Sequence, residues 1–248
     1  MSELERLINR HHNTLNENEL AIVAYILENP KMCGNLSIVK LATKCHTSKS
    51  SIHRLTKKLG MAGFAELKYH LKHTEESVIS DCDLLELQVE DIEATLKLMR
   101  TSDVKSIVKE MRKAKRIFGF GTGWGQQNAL VELNRNLLRT GRHMLIIPAK
   151  TEFDLLMDTF TEGDFIIIIS LSGDTPQLEK NIQLLNLRNV GILSITTFKN
   201  NYLAQKVPYN LYYQTTPLLH KKEHDILSFI TLNVLCDALF REYLAHIP

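Results

Sequence analysis

Two short stretches of this 248-residue chain put small hydroxyls and glycines where an oxyanion could be held. In "SLSGDTPQ", Ser170, Ser172, Gly173 and Thr175 follow the apolar run "DFIIII" and precede a segment of helical character opened by Pro176. Hydroxyls and open backbone N–H groups at a helix start satisfy phosphate-like oxygens without a metal or an arginine. Proline is tolerated in a first helical turn. In "GFGTGWGQQNA", Gly121, Thr122, Gly123 and Gly125 stand between the run "RIFGF" and a helix expected to begin near Gln126. Glycines there let the backbone approach an anion closely. No G-K-[ST] follows either stretch, and no acid about 20 residues further on fits a dinucleotide ribose, so a nucleotide loop is not indicated and no cofactor is expected. Serines at strand ends are often mere caps, so each stretch alone is weak. Two of them at the same kind of position carry more.

A third stretch has the chemistry of a nucleic-acid reader. In "LSIVKLATKCHTSKSSIHRLTKKLGMAGF", a first helix from Ser37 to about Cys45 partly buries Val39, Leu41 and Ala42, and His46 and Thr47 make a turn. Ser48 is a credible N-cap. The second helix, Lys49 to Leu59, buries Ile52, Leu55 and Leu59, and Gly60 ends it. Its other side carries Lys49, Ser50, Ser51, His53, Arg54, Lys57 and Lys58. Short donors near the helix start and long cations beyond suit a helix in a major groove, with base edges near its N-terminus and phosphates farther along. Taken singly, Ser48 and Ser51 read as cap and flank, and Arg54 and Lys57 as solvated cations. No partner at metal-ligand spacing surrounds His53.

Charge distribution supports the combination. Residues 1–74 hold eleven Lys/Arg against six Asp/Glu, leaving nineteen against twenty-two for residues 75–248. A basic unit joined to a mildly acidic one points to an anionic partner for the first.

The elements that must position these residues are of two kinds. Up to about Thr74 the apolar spacing is helical, and "ENELAIVAYILEN" places Leu20, Val23, Ala24 and Leu27 on one stripe, with Pro30 stopping the helix. From Arg116 onward, the runs "RIFGF", "HMLIIP", "DFIIIIS", "VGILSIT" and "YNLYY" alternate with helix-length segments. Continuous apolar strands between helices predict a doubly wound parallel sheet of five strands. The fold class is therefore α/β, with an all-α helix-turn-helix domain over 1–75, linker helices over 76–105 and the sheet domain over 106–248. "EHDILSFITLNVLCDALFREYL" is expected to be a terminal helix.

"LATKCHTSKSSIHRLTKKLGMAGFAELKYHL" followed by "GFGTGWGQQNA", "ISLSGDT" and "ILSITTFKNNYLAQKVPYNLYY" resembles the RpiR family of bacterial transcription regulators, a helix-turn-helix domain joined to a sugar isomerase (SIS) domain. The likeness covers nearly the whole chain. The opening "LERLINRHHNTLNENELAIVAYIL" is similar, within that family, to regulators of maltose or α-glucoside phosphotransferase operons. The resemblance implies a homodimer or tetramer that binds double-stranded operator DNA and responds to a phosphorylated sugar. By position, Ser170, Ser172 and Thr175 match the hydroxyls that grip the phosphate, and Gly121 and Gly123 match the first loop. One departure stands out: where G-x-G-x-S expects serine the chain has Gly125. Either Thr122 supplies that hydroxyl, or the ligand differs or is weakly held.

The rival reading is a sugar-phosphate isomerase with an appended helical domain. Isomerisation needs a base beside C1/C2 and usually an acid to open the ring. Glu223 and His224 are the close acid–imidazole pair, but an acid before a helix is commonly there for the dipole. Glu152 and Asp154 read the same way, so no catalytic residue is assigned. Cys33, Cys45, Cys82 and Cys236 form no C-x-x-C pair, which indicates neither a zinc site nor a disulfide framework. The charged N-terminus and the lack of any long apolar run predict a cytoplasmic protein with no membrane partner.

Overall fold

A computed structural model of the chain describes residues 3–72, 84–197, 200–218 and 226–245. It divides into two compact units, Met1–Cys82 with Thr216–Leu227, and Asp83–Thr215 with Ser228–Pro248.

The first unit is helical: α1 (Glu3–His11), α2 (Glu17–Glu28), α3 (Pro30–Asn35), α4 (Ile38–Lys44), α5 (Lys49–Lys58) and α6 (Phe64–Lys72). A capping box opens α2, with Asn16 Oδ1 accepting from the Glu19 N–H at 2.9 Å and Glu19 Oε2 accepting from the Asn16 N–H at 3.0 Å. The face that α2 buries is Glu19, Ile22, Val23 and Ile26. That is one residue, or about 100°, away from the expected stripe, of which Val23 is buried and Leu20, Ala24 and Leu27 are only partly so. The cap and a cation from α5 draw Glu19 inward, and the apolar residues three and seven positions on follow it. Pro30 both ends α2 and starts α3, since its fixed φ suits a first helical turn.

The second unit is a five-stranded parallel sheet between two helical layers. In chain order it comprises α7 (Leu84–Arg100), α8 (Val104–Lys113), β1 (Arg116–Gly121), α9 (Trp124–Leu138), β2 (Met144–Ile147), α10 (Lys150–Leu156), β3 (Asp164–Ile169), α11 (Glu179–Leu187), β4 (Gly191–Thr196), α12 (Tyr202–Lys206), β5 (Tyr209–Tyr212) and α13 (Ile230–Ala245). The spatial order is β2-β1-β3-β4-β5, every pair parallel. All six residues of β3 are buried, and side chains alternate across the sheet. Phe165, Ile167 and Ile169 pack with α8, α9 and α13, while Ile166 and Ile168 pack with α10, α11 and α12. This double burial is why the strand reads as an uninterrupted apolar run.

Chain order reverses between β1 and β3, so the crevice beyond their carboxyl ends is the topological switch point, where open α/β sheets bind ligands. The terminal helix starts at Ile230, later than expected: Leu227, Ser228 and Phe229 are not helical, and the Ser228 carbonyl instead accepts from Thr215 Oγ1 at 2.8 Å. Glu223 and His224 lie outside the described residues.

Candidate functional site: an oxyanion cradle and a basic helix

Both hydroxyl-bearing loops leave the sheet at the switch point, one from β1 and one from β3. The Thr122 N–H donates to the Ile169 carbonyl at 3.0 Å, which joins the mouth of the first loop to the residue before Ser170. Helix α9 begins at Trp124, two residues earlier than expected, with Gly123 as its N-cap and no side chain capping it. Its first N–H groups are therefore not taken up by a cap hydroxyl.

In the second loop, Ser170 is buried and its Oγ accepts from the Gly173 N–H at 3.1 Å. Ser172 is exposed, and its Oγ accepts from the Asp174 N–H at 3.2 Å. Both serines thus shape the loop as well as line it. Thr175 is different: it is 4% exposed, and its buried Oγ1 has no hydrogen-bond partner. A buried hydroxyl left unpaired costs about 1–3 kcal/mol, a price that a bound oxygen would remove.

The loop is held from behind by residues the sequence did not single out. Gly173 has φ +81°, and a side chain there would fall inside that of Asn201. Asn201, 2% exposed, caps α12 by accepting from the Ala204 N–H, and its Nδ2 donates to Thr196 Oγ1 at 3.1 Å. The Gly173 carbonyl accepts from the Leu203 N–H, and Asp174 Oδ1 from the Tyr202 N–H at 2.8 Å. Asn201 before "YLAQK" was legible as a cap, but its approach to Gly173 was not. Gln127 braces the first loop through Nε2, which donates to the carbonyls of Gly121 and Ile147 at 3.3 and 2.8 Å.

Gly125, where a serine was expected, is the second residue of α9. A Cβ there would lie 2.6 Å from Phe229 Cδ2, so the Phe229 ring takes the space of the missing hydroxyl. Asp154 is committed to Lys150 Nζ at 2.6 Å and Asn181 Nδ2 at 2.9 Å, and the Lys150 ammonium, with Asn181 and Lys180, holds its carboxyl below the usual range. Glu152 sits in the first turn of α10, its Oε2 buried without a partner.

In the helical unit, Ser37 caps α4 and Ser48 caps α5. His46, at φ +51°, makes the tight turn between them. Leu41 and Ala42 are buried as expected, whereas Val39 is 58% exposed. Two residues from Leu41 is a rotation of about 200°, which carries Val39 to the opposite side of α4. On α5, Ile52 and Leu55 face inward, with Leu59 buried just after, and Lys49, Ser50, His53, Arg54, Lys57 and Lys58 are exposed. Not all of these are equally available. Ser48 Oγ and Ser51 Oγ lie 2.9 Å apart within the cap, and Lys57 Nζ donates to the Ala62 carbonyl at 2.9 Å. Lys58 Nζ is 2.7 Å from Glu19 Oε2 and 3.2 Å from the Thr14 carbonyl. Burial pushes the Glu19 carboxyl up, but the bonds from Lys58 and the Asn16 N–H, with the nearby charge of Arg54, outweigh it and hold the group low. Lys58 thus fastens the end of α5 to the start of α2.

Fold and candidate site define a two-part molecule, a capped basic helix on a helical unit and two joined hydroxyl- and glycine-bearing loops at the switch point of a doubly wound sheet. Comparison with known proteins agrees: residues 2–77 match the helix-turn-helix domain of the rpiR family and residues 110–230 match the SIS domain. The chain is 38% identical over 244 residues to the HTH-type transcriptional regulator GlvR of Bacillus subtilis, covering 98% of this chain and 96% of that one. It is 24% identical to the HTH-type transcriptional regulator HexR of Pseudomonas aeruginosa, over 79% of this chain and 74% of that one. The Vibrio vulnificus NanR protein, solved complexed with ManNAc-6P, superposes with a TM-score of 0.60 at 21% identity, covering 99% of this chain and 93% of that one. The chain belongs to the rpiR family of helix-turn-helix transcriptional regulators with an SIS domain, which sets it among regulators and apart from the isomerase alternative.

Proposed function

We propose that the cradle at the β1/β3 switch point binds a phosphorylated sugar and that this binding adjusts the grip of α5 on operator DNA. The observation that carries the reading is the unpartnered Thr175 hydroxyl, buried in a loop already joined to the N-cap loop of α9. The phosphate would be taken by the Gly121, Thr122 and Gly123 backbone together with Ser170, Ser172, Gly173 and Thr175. NanR, of like fold, was solved with a phosphorylated sugar. Operator contacts are assigned to residues 1–75, effector contacts to 106–248, and the passage between them to 76–105. Lys49, Ser50, His53 and Arg54 are the foremost contacts on α5, with Lys57, Ser48 and Ser51 behind them. Lys58 is read as a positioning residue because Glu19 neutralises it. The protein acts as a homodimer in the cytoplasm, since a twofold pair of α5 helices fits successive major grooves and its operator lies there. No described helix is long and apolar enough to cross a membrane.

An effector can shift operator affinity only through a difference in its own affinity for two poses of the dimer. Calorimetric titration with a panel of hexose and disaccharide phosphates, with and without operator, tests this. At least one phosphorylated sugar should bind and change operator affinity, and its unphosphorylated parent should not. Binding of none, or equal binding of the parent sugar, overturns the assignment.

A further inference from the structure

The sheet has a second open end. A cavity of about 690 Å³ lies at the amino ends of β3, β4 and β5, on the edge away from the switch point, and every residue lining it belongs to the sheet unit. That volume is in the range of small-molecule sites. Its floor is aromatic. The Phe165 ring lies over Gly191, with Cδ2 only 2.6 Å from where a Cβ would stand, and packs on Tyr209 with ring centroids 6.1 Å apart. Burial, with the charge of Glu110, pushes the Tyr209 phenol up, so its hydroxyl stays a donor at neutral pH.

The walls carry charges of two kinds, those already paired and those left over. Glu110 is held by Lys113 at 3.2 Å, Asp164 by Arg116 at 2.6 Å, and Asn186 Nδ2 donates to the Lys206 carbonyl at 2.9 Å. Among the described residues, no hydrogen-bond or ion-pair partner engages the side chains of Glu162, Asn189 and Lys206 or the Tyr209 hydroxyl. Glu162 precedes β3 and Lys206 precedes β5, so the free carboxylate and the free ammonium belong to opposite walls, with Asn186 and Asn189 between them. Two strand spacings, about 10 Å, separate those walls. Helices α8 and α11 also end here, and their carbonyl ends favour a cation. A ligand of one sign would leave either Glu162 or Lys206 unmatched. A ligand carrying both signs matches the two.

We propose that this cavity is a second ligand site, for a small zwitterion of amino-acid type with its ammonium beside Glu162 and its carboxylate beside Lys206. The six residues of β3, roughly 17 Å of strand, separate it from the cradle, and it does not rest on the phosphosugar reading.

Calorimetric titration of the full chain with α-amino acids, ω-amino acids and dipeptides tests the site. At least one should bind with a dissociation constant below about 1 mM, and its N-acetylated and its C-amidated derivatives should each bind about tenfold more weakly. Glu162→Gln and Lys206→Gln should each weaken binding by a similar factor with an unchanged melting temperature, because both side chains are exposed and unpaired. Hexose phosphates should not compete. No binding by any member of the panel at about 10 mM overturns the site. So does binding that either substitution or either blocked derivative leaves unchanged, and competition by a hexose phosphate overturns it by placing the zwitterion in the cradle.

Discussion

The Thr122 N–H donates to the Ile169 carbonyl at 3.0 Å, although 47 positions separate the two residues in the chain. This bond makes one site of two loops, because Thr122 precedes the N-cap of α9 and Ile169 precedes Ser170. It exists because β1 and β3 are neighbours in register, with Gly121 opposite Ile169. In the proposed reading, an anion there is met by a helix N-terminus from one loop and hydroxyls from the other.

The three hydroxyls of the second loop should separate by experiment. Thr175→Val removes an oxygen that has no partner in the free protein, so the fold should keep or slightly gain stability, while affinity for a responsive phosphosugar falls about tenfold or more. Ser170→Ala also strands the Gly173 N–H and should cost about 1 kcal/mol of stability as well. Ser172→Ala should leave operator affinity intact and abolish the sugar response. Thermal melts beside calorimetric titrations distinguish the variants.

Cations on α5 should divide into two classes. Arg54→Ala should weaken operator binding and lower the slope of log affinity against log salt by about one. Lys58→Met should leave that slope nearly unchanged and instead lower the melting temperature, because it takes from Glu19 its ion-pair partner. Salt-dependent anisotropy titrations measure the first effect and thermal melts the second. An unchanged slope for Arg54→Ala would count against α5 as the DNA-contacting helix.

Restoring the hydroxyl at position 125 should fail alone and succeed in company. Gly125→Ser sets a side chain within 2.6 Å of the Phe229 ring, an overpacking expected to cost about 1–3 kcal/mol. Gly125→Ser with Phe229→Ala should recover part of that loss, giving a coupling of about 1 kcal/mol in a double-mutant cycle. Denaturant melts of the four proteins measure it.

Stability of the sheet unit should fall in acid through Asp164. Its side chain is 1% exposed and pairs with Arg116 through Nε at 2.8 Å and Nη2 at 2.6 Å. Burial pushes the carboxyl up, but Arg116 and the Thr161 N–H outweigh it and hold the group below its ordinary 3.8. With the folded value depressed, the unfolded chain binds the proton more readily. The contribution is thus complete above the ordinary value and is lost as pH falls through the folded one. Asp164→Asn should flatten the stability profile below about pH 4. Arg116→Met should cost about 2 kcal/mol at pH 7, less than for a fully buried pair because the guanidinium is half in water.

Much of this molecule is legible in one dimension. Strand identity follows from runs such as "DFIIII", because a strand buried on both faces has no polar side to reveal. The cap at Ser48 and the inward Ile52 and Leu55 follow equally from local rules, since a hydroxyl three residues before an open N–H and a 3.6-residue period depend only on near neighbours. What the tertiary structure decided are relationships across long stretches of chain. Glu19 turns α2 by one residue because a lysine 39 positions away reaches it; Gly125 has no room for a side chain because Phe229 lies against it; and Thr175, alone among the hydroxyls of the second loop, is left without a partner. Local pattern sets which backbone forms each segment adopts, but the space left beside a residue is set by whatever folds against it. Only that space distinguishes a hydroxyl that braces a loop from one left without a partner.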